Sequence, residues 1–556
     1  MSDEQRREAG CPSGTMTILF LARHYTYFRN FDGAIRLLAA RGHRVHLAVD
    51  RDDNREFVER LAAETPGVTF GLTPQVPATR RRRLSEGLRF SLDFLRYEDA
   101  RYADASKIRQ RAAERTPALA AWARDRWGVG EAVTRVAEVE RAIEPSPRVR
   151  EFIASQAPDL VVLTPLIELG SPQLDYLRAA RALGIRTALA VWSWDHLTSK
   201  ALIRVRPDRV LVWNETQRRE AVELHGLAPE AVVVTGAQCF DQWFDRQPAL
   251  ARDVFCGRVG LPDDRAFVLY VCSSLFKGSP PEPGFVRQWI RSLREHADAR
   301  LREVPIVVRP HPQRLAEWDG IDLAAEFPGV HVFGSAPLDP GTRADYFDSM
   351  YHAAAVVGLN TSALIESAIV DRPVYTVLLP EFRENQEGTL HFQYLLRVGE
   401  GFLHTSRSLD EHAWQLLAGL TGTTSRRNTP FVEAFVRPHG LTAPATPRFV
   451  EAVEAVAAAR PGLPEVVTAR GRLQAVGLAL MMDTAWGRRW LGDPRQAREA
   501  VDKAAVQADR ARRYAEKYRE QRTTLWRRRW ARVVAAAKTA VLRVAPGLSS
   551  RGPSLP

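Results

Sequence analysis

The fold is decided by the stretch Ala353-Ala-Ala-Val-Val-Gly-Leu-Asn-Thr-Ser-Ala-Leu-Ile-Glu-Ser-Ala-Ile-Val-Asp-Arg-Pro-Val-Tyr-Thr-Val377. Its pattern predicts a strand, a polar turn, a helix and a second strand. Residues 354–357 form a short apolar run, which is typical of a strand buried in a parallel sheet. Thr361 or Ser362 can cap the helix that follows, and Pro373 ends that helix before the next strand. This order of elements indicates an α/β protein.

The turn between the predicted strand and helix has the chemistry of a phosphate site. Backbone N–H groups at a helix N-terminus attract anions, and Asn360, Thr361 and Ser362 add polar side chains there. Glu366, one turn into the helix, is placed to accept a hydrogen bond from a ribose hydroxyl. The alternative is an ordinary capping box in which Glu366 serves only the helix end. The residues alone leave both interpretations open.

A second stretch ends a predicted buried strand in polar residues: Pro305-Ile-Val-Val-Arg-Pro-His-Pro312. Ligands of open α/β sheets bind beyond the carboxyl ends of the strands. Arg309 and His311 therefore lie where a second polar contact to a nucleotide is expected. The alternative is that the His-Pro pair is only a rigid strand exit.

A resemblance to the donor-binding domain of GT-B glycosyltransferases rests on two segments, Arg309-Pro-His-Pro312 and Gly358-Leu-Asn-Thr-Ser-Ala-Leu-Ile-Glu-Ser-Ala368. It concerns the branch that includes the CDP-glycerol glycerophosphotransferases and the CMP-sugar-using capsule transferases, and the related UDP-N-acetylglucosamine 2-epimerases. The resemblance implies two Rossmann-like domains that face each other across a cleft. It also implies that the His-Pro element and the Ser/Thr turn hold the phosphates of a CMP-, CDP- or UDP-linked donor, with no separate cofactor.

The strand predicted at 266–274 opens the second domain and ends in Ser273 and Ser274. These hydroxyls, together with Lys277 in the next turn, are candidates to reach the donor phosphates. The alternative is a plain strand-to-loop exit. Further along, the segment around His391 resembles the return of the family's chain toward the active site, and His391 is a candidate contact.

The amino-acid composition limits the classes of protein to which the chain can belong. The chain has 556 residues, which is enough for roughly three domains. Its formal net charge of +12 favours anionic partners, such as a nucleotide donor, an acidic lipid, a polyanionic acceptor or a nucleic acid. The four cysteines are scattered without CxxC spacing, so neither a zinc site nor a disulfide framework is indicated.

The sequence indicates neither a signal peptide nor a membrane span. The first 14 residues are polar and charged and lack an apolar core. No run of about 18 apolar residues exists that would cross a bilayer. We therefore expect a cytoplasmic protein.

The first βαβ unit predicts the acceptor-side half. A strand over 17–22, a polar and aromatic turn, a helix over 31–40 and a strand over 45–49 favour a parallel sheet. The turn lacks the GxGxxG of dinucleotide-binding units, and the helix resembles the opening helix of glycosyltransferases. His24, at the end of the first strand, is the first candidate for a catalytic base. The alternative is a packed turn histidine.

A second candidate for acid/base chemistry lies in Trp192-Ser-Trp-Asp-His-Leu-Thr-Ser-Lys200. Aromatic and ionisable residues at a strand exit suggest function, and Asp195 or His196 can take a proton from an attacking hydroxyl. The alternative is tryptophan packing with Asp195 as a helix cap. Asp50-Arg-Asp52 matches the metal-binding DxD motif only weakly, and we expect no metal site.

The expected domain organisation follows from shifts in composition along the chain. It comprises a disordered N-terminus (1–14), an N-terminal Rossmann-like domain (15–245) with a helical insertion (about 84–143), a linker (246–265), a C-terminal Rossmann-like donor domain (266–445), a helical return segment (446–494), a basic amphipathic helical tail (495–545) and a disordered end (546–556).

The tail combines a cationic face with an apolar stripe. Residues 522–543 contain no Asp or Glu, and tryptophans and aliphatic residues recur there at helical spacing. This pattern is typical of a helix that lies on an anionic membrane surface. A nucleic-acid-binding tail is the alternative, because it too combines arginine with aromatic residues. The continuous apolar stripe favours the membrane, and hence the inner face of the cell membrane.

Together these patterns predict a GT-B-type transferase. It would move a sugar or a glycerol-phosphate unit, without a metal, from a nucleotide-activated donor to a cell-envelope polysaccharide or lipid-linked acceptor. His24 or Asp195 would activate the acceptor hydroxyl. The alternatives are a sugar-nucleotide 2-epimerase and a non-catalytic membrane scaffold with a degenerate fold. The residues expected to hold the donor are Arg309, His311, Asn360, Thr361, Ser362 and Glu366, with Ser273 and Ser274.

Overall fold

The protein is built around two parallel β-sheets. The computed structural model describes residues 14–103, 105–276, 278–337, 339–423, 428–462 and 465–494, together with residues 534, 535 and 537. The strands are β1 (Thr17–His24), β2 (Arg44–Arg51), β3 (Val68–Leu72), β4 (Leu160–Leu163), β5 (Arg186–Ala190), β6 (Arg209–Val212), β7 (Val232–Val234), β8 (Val268–Val271), β9 (Ile306–Arg309), β10 (Val330–Val332), β11 (Ala355–Gly358), β12 (Val374–Val377) and β13 (Leu403–Ser406).

The strand orders identify the architecture. The first sheet runs β3-β2-β1-β4-β5-β6-β7 and the second runs β10-β9-β8-β11-β12-β13. Each sheet begins at a central strand and winds outward in both directions, as in doubly wound Rossmann-like folds. All paired strands are parallel. The predicted fold class, two Rossmann-like α/β domains, is confirmed.

Helices cover both faces of each sheet, which explains the apolar strands. Every residue of β4 and β12 is buried. The helices are α1 (Asp32–Ala40), α2 (Arg55–Glu64), α3 (Arg80–Tyr97), α4 (Ser106–Ala113), α5 (Ala118–Trp127), α6 (Val129–Arg141), α7 (Pro147–Gln156), α8 (Gln173–Ala182), α9 (Glu215–Glu223), α10 (Asp241–Phe244), α11 (Arg252–Val259), α12 (Glu282–Arg294), α13 (Ala299–Arg302), α14 (Leu323–Glu326), α15 (Pro340–Tyr351), α16 (Ser362–Ile369), α17 (Leu390–Arg397), α18 (Leu409–Leu420), α19 (Asn428–Phe435), α20 (Ala445–Ala458), α21 (Ala469–Met481) and α22 (Ala485–Leu491).

The aromatic turn after β1 is itself ordered. Residues Tyr25–Phe31 form a 3-10 helix, and α1 therefore begins at Asp32. The Phe28 and Phe31 rings lie with their centroids 5.2 and 5.0 Å from the ring of Phe20 in β1. These edge-on aromatic contacts fix the turn on the sheet. Because β1 extends to His24, that residue lies at the carboxyl edge.

Helices α3 to α6 lie in the segment expected to be a helical insertion, and buried ion pairs join them to the first domain. Arg89 Nε donates to Glu140 Oε1 at 2.8 Å, and Arg178 of α8 donates to Glu140 Oε2 at 2.6 Å. A second buried pair joins Arg204 to Asp93 of α3. Breaking a buried pair leaves an uncompensated charge, which costs about 3–5 kcal/mol. The insertion is therefore firmly anchored.

The chain crosses from the second sheet back to the first, where α20 packs. Phe449 of α20 lies 5.6 Å from Phe31, centroid to centroid. Glu454 of the same helix accepts from Arg41 at 2.7 Å and lies 3.0 Å from His43 Nε2. Helix α20, which follows the second sheet in the chain, is thus part of the core of the first domain.

The two crossings between the sheets meet at one carboxylate. The backbone N–H of Ala237 donates to the carbonyl of Val436 at 2.9 Å. Asp241 accepts from the backbone N–H groups of Ala445 at 3.0 Å and Thr446 at 2.6 Å. We refer to these contacts as the crossover joint.

Several expectations concern the connecting and terminal segments. The expected linker at 246–265 contains α11, whose Phe255 and Cys256 are buried in the core. The expected tail at 495–545 and the disordered ends at 1–14 and 546–556 lie outside the described residues, apart from Gly14 and residues 534, 535 and 537. Among the described helices, none is long and apolar enough to cross a membrane.

Candidate functional site

A cleft of about 480 Å³ lies between the carboxyl ends of the two sheets. The first sheet supplies His24 at the end of β1 and Trp192 after β5. The second sheet supplies Gln313 after β9, and Ser362 and Glu366 from α16. Three predicted site residues therefore line one cavity: His24, Ser362 and Glu366. The predicted residues that do not line it are Asp195, Ser273, Ser274, Arg309, His311, Asn360 and Thr361.

His24 has the surroundings of a proton acceptor. Its Nδ1 lies 3.4 Å from Oδ2 of Asp53, and Oδ1 of Asp53 accepts from the N–H of Tyr25 at 3.1 Å. Burial lowers the pKa of His24 below its usual value, although the charge of Asp53 opposes this shift. A neutral imidazole whose Nδ1 faces a carboxylate keeps Nε2 available to accept a proton.

A network of charges lies beside this histidine. Arg23 pairs with Asp50, with 3.2 Å between Nε and Oδ2, and it also pairs with Glu168. The Tyr27 hydroxyl donates to Glu168 Oε1 at 3.1 Å, and the Thr73 hydroxyl donates to Asp50 at 2.8 Å. Asp50 is therefore engaged within the fold. In the part of the chain that the structure describes, no group of three or more His, Cys, Asp or Glu could hold a metal ion.

Asp195 is held by its own loop. Its carboxylate accepts from Ser199 Oγ at 2.8 Å and from Ser193 Oγ at 2.5 Å, and it lies 3.4 Å from Lys200 Nζ. Burial raises the pKa of this carboxyl, but the charge of Lys200 and the hydroxyl hydrogen bonds outweigh it and hold the pKa well below the usual range. So weak a base accepts protons poorly near pH 7. These contacts are those of a structural ion pair.

The two neighbouring histidines pack rather than line the cleft. His196 is fully buried, and burial lowers its pKa to about 3. His391 of α17 lies edge-on to Trp194, with 4.8 Å between the ring centroids, and its Nδ1 lies 3.4 Å from the Thr198 hydroxyl. Burial lowers the pKa of His391 to about 4. His391 therefore serves as a neutral contact between the two domains.

The turn before α16 is built as a helix end. Thr361 is the N-cap, and its hydroxyl accepts from the N–H of Ala363 at 3.4 Å. Ser362, the first residue of the helix, is exposed and faces the cleft. The N–H of Asn360 donates to Ser273 Oγ at 3.0 Å, which ties the turn to the end of β8. Asn360, Thr361 and Ser273 thus shape the turn that presents Ser362.

Glu366 does not complete a capping box. Its carboxylate instead accepts a hydrogen bond from the hydroxyl of Tyr346 on α15, so the capping-box interpretation is wrong. The buried guanidinium of Arg309 lies 4.9 Å from the centre of the Tyr346 ring. Burial raises the pKa of Glu366 to about 7, although Tyr346 and Arg309 oppose this shift. The residues Arg309, Tyr346 and Glu366 form a connected set from β9 to the cleft.

Two further predicted donor residues, Ser274 and His311, form hydrogen bonds with Gln313. Ser274 Oγ donates to Gln313 Oε1 at 2.8 Å, and the backbone N–H of Gln313 donates to Nδ1 of His311 at 3.2 Å. Burial lowers the pKa of His311 to about 4, so its ring is neutral at pH 7. Gln313 lines the cleft, whereas His311 and Ser274 do not. Lys277 lies outside the described residues.

Sequence reasoning missed most of the cleft wall. Tyr346 and Arg343 lie three residues apart on α15, so they share one face of that helix. This spacing was the one signal in the sequence that could have found them. The other lining residues come from separate segments that only the fold brings together. Among them are Arg29, Phe57, Trp213, Trp243 and Arg246.

No protein-family model matches the sequence, and no curated protein matches it. The chain is similar to the solved structure of a glycosyltransferase from Rickettsia africae, with 10% identity, a TM-score of 0.45 and coverage of 80% of this chain and 99% of that one. It is also similar to UDP-GlcNAc 2-epimerase from Methanocaldococcus jannaschii in complex with UDP-GlcNAc and UDP, with 12% identity, a TM-score of 0.45 and coverage of 79% and 100%. For the calicheamicin glycosyltransferase, the identity is 14%, the TM-score is 0.41 and the coverage is 80% and 98%. These proteins belong to the two enzyme groups that the sequence motifs resemble.

Proposed function

We propose that the protein is a GT-B-type transferase that moves a sugar or a glycerol-phosphate unit from a nucleotide-activated donor to a hydroxyl group. The observation that carries this proposal is that His24 faces the same cleft as Ser362 and Glu366. A transferase needs a proton acceptor for the attacking hydroxyl and a positive environment for the departing phosphate. The first domain offers the proton acceptor, and the second domain offers the positive environment for the departing phosphate.

The donor is proposed to bind against the second sheet. Its phosphate oxygens would accept hydrogen bonds from Ser362 and from the N–H groups at the start of α16, where the helix dipole favours negative charge. The ribose would contact Glu366, whose carboxyl can both donate and accept near pH 7 because its pKa is about 7. Arg309 would act as a positioning residue, because it packs on Tyr346.

The acceptor is proposed to react beside His24. As the acceptor oxygen forms its bond to the donor carbon or phosphorus, its proton moves to Nε2 of His24. The bond from that donor atom to the departing phosphate oxygen breaks, and the electron pair stays on the phosphate, which the start of α16 stabilises. We propose no metal ion in this step, because the helix end supplies the positive charge. Of the two predicted bases, His24 fits better than Asp195, whose carboxylate is already engaged by Lys200.

The acceptor class and the location stay proposals from the sequence. We propose a cell-envelope polysaccharide or a lipid-linked acceptor, and a protein that lies on the inner face of the cell membrane. The basic amphipathic pattern at 522–543 supports this proposal. That segment lies outside the described residues, apart from 534, 535 and 537.

A nucleotide panel tests the donor site. Thermal unfolding would be measured with CMP, CDP, UDP, GDP and ADP for the wild type, for Glu366→Ala and for the surface control Glu56→Ala. At a concentration of about 100 times Kd, a bound nucleotide stabilises by about 2.7 kcal/mol. We expect one nucleotide to raise the Tm of the wild type and the control but not of Glu366→Ala. Equal shifts in all three proteins, or no shift with any nucleotide, would contradict the donor site.

Product analysis separates the proposed reaction from its alternatives. A transferase converts the donor only when an acceptor hydroxyl is present, apart from slow hydrolysis. A 2-epimerase would instead give an isomeric nucleotide sugar without an acceptor, and a scaffold would convert nothing. We expect His24→Gln to lower turnover by about 10²–10⁴-fold, the usual contribution of a general base, while nucleotide affinity stays unchanged.

A further inference from the structure

Three arginines line the same cleft without a carboxylate partner. Arg29 belongs to the 3-10 helix after β1, Arg246 follows α10, and Arg343 lies on α15. Each is half-buried. Among the described residues, no Asp or Glu forms an ion pair with any of the three, with an ion pair taken as nitrogen and oxygen within 4.0 Å. We refer to Arg29, Arg246 and Arg343 as the arginine trio.

The contacts of the trio are to neutral groups. Arg29 Nη2 donates to the backbone carbonyl of Pro337 in the second domain. The guanidinium of Arg246 lies 4.9 Å from the centre of the Phe347 ring. Nε of Arg343 is buried without a hydrogen-bond partner among the described residues. An unpaired buried donor costs free energy, so Nε of Arg343 is a donor that a bound anion could satisfy.

The carboxylates nearest to the trio are already engaged. Asp32 lies 2.9 Å from Arg36 Nε. Asp348 accepts from the backbone N–H groups of Ala249 and Leu250, each at 2.9 Å. Asp339 caps α15 and accepts from the N–H of Thr342 at 2.9 Å. Asp32, which also lines the cleft, and Asp339 offset part of the charge of Arg343, and Asp348 offsets part of that of Arg246. Because none of these acids pairs with the trio, the three arginines keep an excess of positive charge.

The three guanidinium groups also influence one another. Burial lowers the pKa of Arg29, and the charge of Arg343 lowers it further. Burial likewise lowers the pKa of Arg246, where Asp348 opposes and Arg343 adds to the shift. The pKa of Glu366 responds to Tyr346 and Arg309 and not to the trio. Arg343 is thus coupled electrostatically to both other members of the trio.

We infer that the arginine trio binds a second phosphoryl group, separate from the one proposed for the start of α16. Guanidinium groups match phosphate oxygens with paired hydrogen bonds and stay charged at all relevant pH values. Arg343 comes from the second domain, Arg246 from the connection between the two sheets, and Arg29 reaches over from the first domain. The phosphoryl group therefore lies between the domains. This inference deepens the proposed function, but anion binding by the trio does not require that transfer occurs.

Two parts of the substrates carry such a group. The phosphoryl group belongs either to the diphosphate of the donor or to a phosphorylated acceptor, and both present the same oxygens to the trio. Inorganic pyrophosphate tests the shared chemistry, a nucleoside diphosphate tests the donor, and glycerol 3-phosphate tests the acceptor.

The experiment measures the affinity of each probe by titration calorimetry at two salt concentrations. The proteins are the wild type, Arg343→Gln, Arg246→Gln and Arg265→Gln. Arg265 is exposed and pairs with Glu303 at the surface, so its variant controls for the loss of one positive charge. We expect pyrophosphate to bind the wild type and the control equally. Each cleft variant should bind it at least about tenfold more weakly, as expected for a lost charge-assisted hydrogen bond. The salt dependence should fall as well.

The source of the phosphoryl group follows from the other probes. Weaker binding of CDP or UDP, with unchanged binding of the nucleoside, assigns it to the donor. Weaker binding of glycerol 3-phosphate, with unchanged nucleotide affinity, assigns it to the acceptor. If pyrophosphate and both phosphorylated probes bind the wild type and the cleft variants equally, the inference is overturned.

Two further variants keep the result decisive. Arg343→Lys retains the charge and loses the paired geometry, so intermediate affinity for pyrophosphate is expected even where the glutamine variant folds poorly. Glu366→Ala removes the proposed ribose contact but leaves the trio intact. If Glu366→Ala still binds pyrophosphate but no longer binds nucleotide, the donor site has failed while the trio is intact. The two failures can therefore be told apart.

Discussion

Replacement of Glu366 by glutamine should change how the stability of the protein depends on pH. The carboxyl has a pKa of about 7 in the folded protein, because burial disfavours its charged form. In the unfolded chain it titrates at its ordinary value of 4.5. Between these two values the folded state holds a proton that the unfolded state has lost. The unfolding free energy of the wild type therefore falls as the pH rises through this window.

The magnitude follows from the size of the shift. One pKa unit corresponds to 1.36 kcal/mol, so ionisation of Glu366 costs the folded wild type about 3 kcal/mol above pH 7. Glu366→Gln keeps the side-chain shape and carries no charge at any pH. Below about pH 4.5 the carboxyl of the wild type is neutral in both states, and the comparison there sets the baseline. Relative to this baseline, the variant should gain about 3 kcal/mol of stability by pH 8.

Urea unfolding between pH 4 and pH 8 measures this difference for the wild type, Glu366→Gln and the surface control Glu56→Gln. The spectroscopic probe should be the total tryptophan fluorescence, to which buried core residues such as Trp289 of the second domain contribute. Parallel curves for the wild type and Glu366→Gln across the whole range would refute the pKa and, with it, the argument that burial holds Glu366 near neutrality.

Three other changes have expected outcomes. Asp53→Asn removes the charge that raises the pKa of His24, so the acid limb of kcat/KM should move to lower pH; a limb that stays in place would exclude His24 as the titrating base. Glu140→Gln leaves two buried arginines without their shared carboxylate and should destabilise by about 3–5 kcal/mol in thermal or urea unfolding, whereas Glu131→Gln at the surface should cost at most about 1 kcal/mol. Asp241→Ala removes the acceptor of two backbone N–H groups at the crossover joint and should lower stability by about 2–4 kcal/mol; an unchanged Tm would show that the joint contributes nothing.

The strands were the most predictable part of the fold. Short apolar runs such as β4 and β12 are typical of strands buried on both faces, and the helical segments between them favour a covered parallel sheet. Polar residues directly after such runs must lie at the carboxyl edge. This rule placed His24 and Ser362, which line the cleft, but also Arg309, His311 and Ser274, which do not.

The local rules failed where a contact depends on another segment. The sequence left a helix-capping role open for Glu366, but Glu366 lies five residues after the N-cap Thr361, beyond the N3 position of a capping box, and its carboxylate accepts from Tyr346 of α15 instead. Asp195 had the context of a catalytic base, but its loop folds back so that Ser199 and Lys200 engage it. Neither partner choice follows from periodicity, because both depend on the path of the backbone after the strand.

The arginine trio shows the same limit more strongly. Its members are separated by more than 90 residues each, and all three lie in stretches without a recognisable motif. Net charge predicted that anionic partners exist, but not where they bind. Only the meeting of the two sheets assigns the charge to one cavity.

The crossover joint also determines how the two domains can move. Both covalent connections pass side by side through contacts to Asp241, so the line through them is the natural axis for opening and closing the cleft. A few backbone dihedrals in the two connections can absorb rotation about this axis. Phe240, next to the axis, would barely move. The hydrogen bond from Arg29 to Pro337 also joins the two domains, so it is a contact that opening of the cleft would strain.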